Sequence, residues 1–262
     1  MTTQSEKAAL FRRMHEERRA FVLANAWDAG SARRLTSLGF EALGTTSAGL
    51  ALSLGVEDGV RALGRDETLA NAHAIVGATH LPVSADLENC FADDPAGCAE
   101  TIHYAIAVGL AGGSIEDATG HPDDPIYPFG LAVERVRAAA EEAHGSGSDF
   151  VLTARAENFL HGRPDLDDTI ARLRAFAAAG ADVLYAPGLP DLRSIRAVCE
   201  AVDKPVNVLM GLDAPPLSVA DLAAIGIGRI SLGSALARTA EATMVNAASW
   251  IRERGTFVYN HR

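Results

Sequence analysis

Three acidic residues follow two apolar runs of the sequence, at the points where those runs end. Asp86 and Glu88 come after "LPVSA", and Glu116 comes after "GGSI". Residues i and i+2 of a strand point to the same side, so Asp86 and Glu88 can converge with Glu116 from a neighbouring strand. Carboxylate oxygens are the ligands that Mg²⁺ and Mn²⁺ prefer, and without a cation such acids raise one another's pKa. We therefore predict a Mg²⁺ or Mn²⁺ site at these three residues.

A second polar group follows the run "FVLTA". Arg155 and Glu157 also have i, i+2 spacing. Arg155 can clamp a substrate carboxylate, and Glu157 is either a reacting acid or the ion-pair partner that orients Arg155. His121 lies in the irregular segment 118–130 and is either a mobile acid or base or an ordinary polar loop residue. Asp117 faces away from these residues and is expected in a cap or a turn.

One glycine-containing segment offers donors for an anion. The stretch "TTSAGLALSLG" matches neither the Walker nor the dinucleotide-binding fingerprint. Its backbone N–H groups and hydroxyls, including those of Thr46 and Ser47, can still hold an anionic group. Asn207, inside a later apolar run, and Trp27 are further predicted substrate contacts.

Such residues need a fold that brings several strand ends together, and the chain repeats a strand, a turn and an Ala-rich helix. Predicted strands cover 21–25, 42–46, 82–86, 113–117, 150–155, 182–186, 205–209 and 229–233. Predicted helices cover 29–38, 66–79, 95–109, 130–143, 165–179, 191–202, 218–225 and 234–254. Eight such units predict an α/β fold, a closed (β/α)8 TIM-type barrel formed by one domain over residues 1–262. A doubly wound open sheet is the alternative.

Composition excludes several classes of function. The net charge of −11 argues against binding nucleic acid, which needs a clustered basic face. The 3 cysteines match no disulfide framework or zinc spacing, so free thiols are expected. No apolar run is long enough to span a membrane and no signal-peptide pattern is present, so a cytoplasmic protein without a membrane partner is expected.

The motifs and their order resemble the isocitrate lyase/phosphoenolpyruvate mutase superfamily over nearly the whole chain. The resemblance is carried by "NAWDAGSARRL", "TTSAGLALSLGVEDG", "PVSADLENCF", "SIEDATGH", "LTARAENF", "GADVLYAPGL" and "RISLGSAL". It implies a (β/α)8 barrel whose last helix can be swapped between subunits, and therefore a homodimer or homotetramer. It also implies a Mg²⁺ ion and small 2-oxo or 2-hydroxy acids that react through an enolate.

The resemblance implies a role for individual residues. Asp86 matches the acid that ligates the metal most directly, with Glu88 and Glu116 as the other acids and Asp58 near the metal waters. Arg155 matches the arginine that binds the substrate carboxylate, with Glu157 as its neighbouring acid. The segment of Thr46, Ser47 and Ala48 matches the one that holds the carboxylate of the 2-oxo acid.

The loop opposite the metal differs from that of the family's lyases. In "ATGHPDDPIYP" the expected lysine and cysteine are missing, and Gly120 and His121 remain. We therefore expect a Mg²⁺-dependent carbon–carbon lyase or decarboxylase that acts on oxaloacetate-like or methylisocitrate-like acids. Decarboxylation needs less proton transfer than a retro-aldol cleavage, so the missing residues favour it. The alternatives are a phosphonopyruvate P–C hydrolase or mutase and a barrel that binds a keto acid without turnover.

Overall fold

Parallel strands form a closed barrel in the computed structural model, which describes residues 3–17, 19–59 and 63–257. The strands are β1 Phe21–Asn25, β2 Ala42–Gly44, β3 Val83–Ala85, β4 Gly112–Glu116, β5 Val151–Arg155, β6 Val183–Tyr185, β7 Val206–Leu209 and β8 Arg229–Ser231. They follow one another around the barrel in chain order, and β8 pairs with β1 to close it. The (β/α)8 prediction is confirmed, and the open sheet is excluded because both edge strands are paired.

Helices cover the outside of the barrel. Within the described residues they are α1 Gln4–Glu16, α2 Ala29–Ser37, α3 Ser47–Leu54, α4 Arg65–Ala78, α5 Pro95–Ala107, α6 Phe129–Gly145, α7 Leu166–Ala178, α8 Leu192–Ala201, α9 Val219–Ala223 and α10 Ala235–Arg254. Asp28 caps α2 by accepting the Ser31 N–H at 2.6 Å. None of the helices within the described ranges is long and apolar enough to cross a membrane.

Helix α3 was not predicted. It begins directly after β2, and the Thr46 hydroxyl caps it by accepting the Gly49 N–H at 3.2 Å. Its sequence, "SAGLALSL", is apolar on nearly all sides and has no amphipathic period by which a helix would be recognised. Instead of a loop, the structure therefore places a helix N-terminus at Ser47.

Six strands are shorter than predicted, β5 and β7 by one residue and the other four by two. β2, β3, β6 and β8 have 3 residues each, where the sequence pattern predicted five. The missing positions include Thr45 and Asp86. The Thr45 N–H still donates to the Ser84 carbonyl at 3.0 Å, whereas the Asp86 N–H donates to the Thr45 hydroxyl at 3.0 Å. Polar strand ends thus become the rim of the barrel.

Helix α1 covers the N-terminal end of the barrel. Its Phe11 and Met14 are buried in one apolar cluster with Phe21 and with residues of β5 and β6. The His15 ring stacks edge-to-face between Phe11 and Phe21, with centroid distances of 4.6 and 5.1 Å. Burying each large apolar side chain contributes roughly 1.5–3 kcal/mol. This layer closes one end of the barrel.

A buried ion pair holds the long segment after β4. Asp117 Oδ2 lies 3.0 Å from Arg172 Nη1, and the same nitrogen donates to the Tyr127 carbonyl at 3.1 Å. Asp117 Oδ1 accepts the Glu157 N–H at 2.8 Å. Burial raises the pKa of Asp117 to about 6, although the Glu157 N–H and Arg172 both act to lower it. As expected, Asp117 points away from the other acids.

Asp117 makes the stability of the protein depend on pH in a defined window. Its pKa is about 6 in the folded protein, against about 3.9 in an unfolded chain. The protonated Asp117 therefore stabilises the folded protein fully below about pH 3.9, and this stabilisation is lost as the pH rises through 6.

Replacing Asp117 by asparagine tests this coupling, because asparagine does not titrate. We expect the free energy of unfolding of Asp117→Asn, relative to wild type, to rise by about 2–3 kcal/mol from pH 4 to pH 7, as measured by urea denaturation.

Asp191→Asn is the matched control. Asp191 caps α8 at the surface, and its pKa is lowered by the Ser194 backbone and side chain. Removing this carboxylate therefore changes relative stability with pH in the opposite direction. If the difference between Asp117→Asn and wild type were the same at both pH values, the described coupling would be wrong.

Candidate active site

A cavity of about 340 Å³ opens at the C-terminal ends of the strands and is lined by residues from all eight of them. Barrels usually fill this interior with branched apolar side chains. Here the inward positions are small or polar: Asn25, Ser84, Ser114, Thr153, Asn207 and Ser231. The volume suits a small organic acid.

The structure brings part of the predicted set to this cavity. The predicted residues that line it are Thr46, Ser47, Ala48, Asp58, Asp86, Arg155 and Asn207. The predicted residues outside the lining are Trp27, Glu88, Glu116, Glu157 and His121. Glu116 and Glu157 still belong to the site, because both form ion pairs with Arg155.

Arg155 is the centre of a buried charge cluster. Its Nη1 lies 2.9 Å from Asp86 Oδ1 and 3.2 Å from Glu116 Oε2. Its Nε donates to Glu157 Oε1 at 2.8 Å. Burial alone would lower the pKa of Arg155, but Glu157, Glu116 and Asp86 outweigh it and hold the pKa above its ordinary value. The arginine stays charged, and its position is determined by three carboxylates from three strand ends.

Glu116 is the most strongly perturbed acid of the cluster. Its side chain is 6 % exposed. Burial raises the pKa of Glu116 well above its ordinary value, and Glu157, Asp86 and Glu88 add to the shift, while Arg155 opposes it. More carboxylates than cations meet here, so the cluster favours an additional positive charge, carried either by a proton or by a metal ion.

Asp86 is the carboxylate of the cluster that faces the cavity, with a side chain 22 % exposed. It accepts from the Ser47 hydroxyl at 3.0 Å, and the Ser47 N–H at the start of α3 lies 3.4 Å away. The positive end of the α3 dipole therefore points into the cavity beside Asp86. Both a cation bound to Asp86 and an anion at the helix terminus can be held side by side.

The acids of this site could hold a metal ion at one side only. No group of three or more His, Cys, Asp or Glu side chains in the described part of the chain is arranged around one point. The guanidinium of Arg155 lies between Asp86 and Glu116 instead. This arrangement does not fit a closed cage, but it fits Mg²⁺, which is commonly held by one or two carboxylates and keeps several waters.

Glu88 belongs to a strained loop after β3. Three residues other than glycine have left-handed backbone conformations there: Glu88 at φ 48°, Cys90 at 58° and Phe91 at 55°. Each costs on the order of 1–3 kcal/mol. The buried Arg135 stabilises the loop by donating to the carbonyls of Asn89 at 2.5 Å and Ala92 at 3.0 Å.

Cys90, Cys98 and Cys199 are free thiols, as predicted.

The remaining predicted residues lie at the edge or outside. Asp58 is at the rim, where partial desolvation and Asp86 raise its pKa and Arg238 opposes the shift. His121 is exposed in the loop after β4, and its backbone N–H donates to the Thr119 hydroxyl at 2.9 Å. Trp27 lines a separate groove between α2 and the start of α10.

Sequence reasoning missed several polar lining residues, among them Asn25, Tyr185, Ser231 and Arg229. The strand endings suggested little charge from β8, yet its first residue is an arginine that reaches the cavity. Arg229 and Ser231 have the same i, i+2 spacing that identified the acids, so alternation within the strand was the available signal. Asn25 ties β1 to the neighbouring strand ends, since its Oδ1 accepts the N–H groups of Leu232 and Gly233 at 2.8 and 3.0 Å.

A larger cavity of about 720 Å³ adjoins the first one and shares Leu160, Leu209 and Gly233 with it. It contains none of the predicted site residues, and most of its lining residues are apolar, although Asp213, Ser234 and Arg238 also line it. Of these two cavities, only the smaller one is lined by predicted site residues.

The chain is similar in sequence and in structure to known proteins. The family profile for phosphoenolpyruvate phosphomutase matches residues 11–252. A crystal structure from Burkholderia cenocepacia J2315, described as a candidate lyase/mutase, is 53% identical, with a TM-score of 0.95, and the match covers 98% of this chain and 91% of that one.

Several relatives have a named activity, and they include a decarboxylase and a lyase. An oxaloacetate decarboxylase of Paraburkholderia xenovorans is 29% identical, covering 89% of this chain and 76% of its own. A 2,3-dimethylmalate lyase of Eubacterium barkeri is 28% identical, covering 84% and 77%. The barrel, the order of the motifs and the profile match all agree. The chain belongs to the PEP mutase/isocitrate lyase superfamily, whose members include lyases.

Proposed function

We propose that this protein is a Mg²⁺-dependent lyase or decarboxylase that breaks a C–C bond in a small 2-oxo or 2-hydroxy dicarboxylic acid through an enolate. One observation carries the proposal: Asp86, held by Arg155 on one side, faces a cavity of about 340 Å³ next to the N-terminus of α3. A cation site and an anion site thus lie side by side in a volume that admits only a small acid.

The carboxylate of the acid fits the start of α3. Ser47 and Ala48 are the first residues of the helix and line the cavity. The Ala48 N–H is available to an anion there, and the Ser47 N–H, now 3.4 Å from Asp86, can turn to it as well. The Gly49 N–H is already taken by Thr46. The Ser47 hydroxyl, now bonded to Asp86, can turn to the same carboxylate.

Asp86 would hold the metal, with Glu88, Glu116 and Asp58 as acids that can bind its waters. A bound Mg²⁺ supplies Lewis-acid stabilisation of the oxyanion that develops as the C–C bond breaks. Arg155 remains cationic beside Asp86 and orients that carboxylate. Glu157 keeps Arg155 in place and is buried, with a side chain 2 % exposed.

The available proton donors favour decarboxylation. A retro-aldol cleavage needs a base for the substrate hydroxyl, and His121 lies outside the cavity lining while Glu157 is occupied by Arg155. Decarboxylation needs a stabilised enolate and one proton for the product carbon. Glu116 also lies outside the lining, but its raised pKa favours a bound proton next to Arg155, 3.2 Å away, and a water molecule can carry that proton into the cavity.

Replacing Asp86 by asparagine tests the proposal directly. We expect kcat/KM for oxaloacetate, followed as pyruvate release with Mg²⁺ present, to fall on the order of 10²-fold or more, because the carboxylate that holds the cation is lost. EDTA should abolish the wild-type activity, and Mg²⁺ or Mn²⁺ should restore it. Asp191→Asn, outside the cavity, is the control and should keep full activity.

The alternatives have distinct results in the same experiment. Full activity in EDTA would refute the metal-dependent mechanism. Phosphate release from phosphonopyruvate would assign the protein to P–C cleavage instead. Calorimetric binding of oxaloacetate without any product would identify a barrel that binds a keto acid without turnover.

We also propose that the protein forms a homodimer or homotetramer through α10. This helix has 20 residues, and of those only Ala237 is buried. Met244 and Val245 are 64% and 49% exposed. Apolar side chains on a long, uncovered helix favour packing against another subunit.

Charges placed on that face should dissociate the assembly. We expect the wild type to sediment as a dimer or tetramer and Met244→Lys/Val245→Lys to shift towards the monomer, because lysines at a packed apolar face are costly to bury. Leu38→Lys, at an exposed leucine after α2, is the control and should leave the sedimentation coefficient unchanged. A wild type that is monomeric at all concentrations contradicts the proposal.

A further inference from the structure

A second arginine lies deeper in the same cavity. Arg229 is the first residue of β8 and is 3% exposed. Its Nε donates to Asn207 Oδ1 at 2.9 Å, and its Nη2 donates to the Thr153 hydroxyl at 2.9 Å. Its Nη1 lies 3.4 Å from His15 Nε2. Three different elements therefore hold this guanidinium in place.

All of these partners are neutral. His15 Nδ1 lies 2.7 Å from the Phe11 carbonyl, which can only accept, so Nδ1 carries the proton and Nε2 accepts from Arg229. Burial lowers the pKa of His15 to about 3, and Arg229 adds to the shift, so His15 stays uncharged near neutral pH. Burial likewise lowers the pKa of Arg229 to about 10. No carboxylate pairs with Arg229 anywhere in residues 3–17, 19–59 and 63–257.

The other buried arginines are compensated. Arg155 contacts three carboxylates, and Arg172 contacts Asp117 and Asp168. Arg135 donates to three backbone carbonyls, lies over the Tyr127 ring and does not line the cavity. Arg229 combines a buried, unpaired positive charge with access to the cavity, and an unpaired buried charge is costly.

Strand geometry places the two cavity arginines at different depths. Thr153 precedes Arg155 by two residues in β5, so both side chains point into the barrel. Because Arg229 bonds to Thr153, its guanidinium lies about one strand layer below that of Arg155. The cavity lining around this level includes Ser84, Ser114 and Ser231. The mouth of the cavity is thus rich in carboxylates, while its floor is positive and rich in hydroxyls.

We propose that Arg229 and the surrounding hydroxyls form an anion subsite at the floor of the cavity, which takes the second carboxylate of a dicarboxylic substrate. The inference rests on the proposed function for the site and deepens it by naming the residue that binds the second carboxylate and selects for it. A monocarboxylate leaves this subsite empty, so Arg229 determines the preference for dianions over monoanions. It acts by binding, and no bond to it forms or breaks.

The test compares a dianion with a monoanion. Calorimetric titration with 2-oxoglutarate and with pyruvate, both with Mg²⁺, measures the affinity of each for the wild type and for Arg229→Met. Both are 2-oxo acids, and 2-oxoglutarate adds a second carboxylate at the far end of its carbon chain. We expect the variant to bind 2-oxoglutarate at least about tenfold more weakly, with a change of less than about threefold for pyruvate. Arg229→Lys, which keeps the charge, should restore most of the affinity for 2-oxoglutarate.

Two further variants separate binding from folding. Arg229→Gln also removes the charge but keeps hydrogen-bond donors, so it provides the measurement if Arg229→Met does not fold. His15→Phe removes a neutral partner of Arg229, keeps the aromatic packing under the barrel and leaves the charge in place. A purely structural role for Arg229 predicts weaker binding in His15→Phe as well, whereas the proposal predicts an affinity for 2-oxoglutarate like that of wild type.

The outcomes are independent of the turnover assay. Equal loss of 2-oxoglutarate and pyruvate binding in the charge-removing variants, or no loss, overturns the subsite, as does a wild type that prefers pyruvate. If oxaloacetate is turned over but Arg229→Met keeps the wild-type preference for the dianion, the subsite fails and the proposed function stands. If no acid is turned over but 2-oxoglutarate binding depends on the charge at position 229, the subsite stands and the proposed reaction fails.

Discussion

An excess of negative charge around one guanidinium determines how the active end of this barrel is built. Asp86, Glu116 and Glu157 contact Arg155, and Glu88 adds to the field that raises the pKa of Glu116. Carboxylates in such a buried group repel one another, so they stay close only because rigid elements hold them. Closing the barrel brings the ends of β3, β4 and β5 together, and Arg155 neutralises part of the charge from the centre.

Charge is also ordered along the axis of the barrel. The carboxylate cluster lies at the mouth, the positive N-terminus of α3 lies beside it, and Arg229 lies at the floor among neutral side chains. Arg135 and Arg172 sit outside this line and hold the loops after β3 and β4 by backbone contacts and a buried ion pair. Separate arginines therefore serve the cavity and the supporting loops.

Much of the fold and part of the site could be predicted from the sequence because both depend on local patterns. The repeat of strand and helix predicts the barrel, and acids at the ends of apolar runs predict where Asp86, Glu116 and Arg155 converge. Helix α3 escaped because its apolar sequence has no helical period, and Arg229 escaped because it precedes a strand end instead of following one. The exposed position of His121 could not be predicted, since it depends on the long-range pair of Asp117 and Arg172.

The apolar layer that α1 forms at the N-terminal end of the barrel affects how substrate and products enter and leave the cavity. Phe11, Met14 and Phe21 leave no passage at the N-terminal end, so whatever enters must leave through the same mouth. When one molecule is split into two fragments in a well with a single opening, the fragment nearer the mouth has to depart first. The deeper fragment leaves last, and at high concentration it returns to the empty enzyme as a competitor of the next substrate.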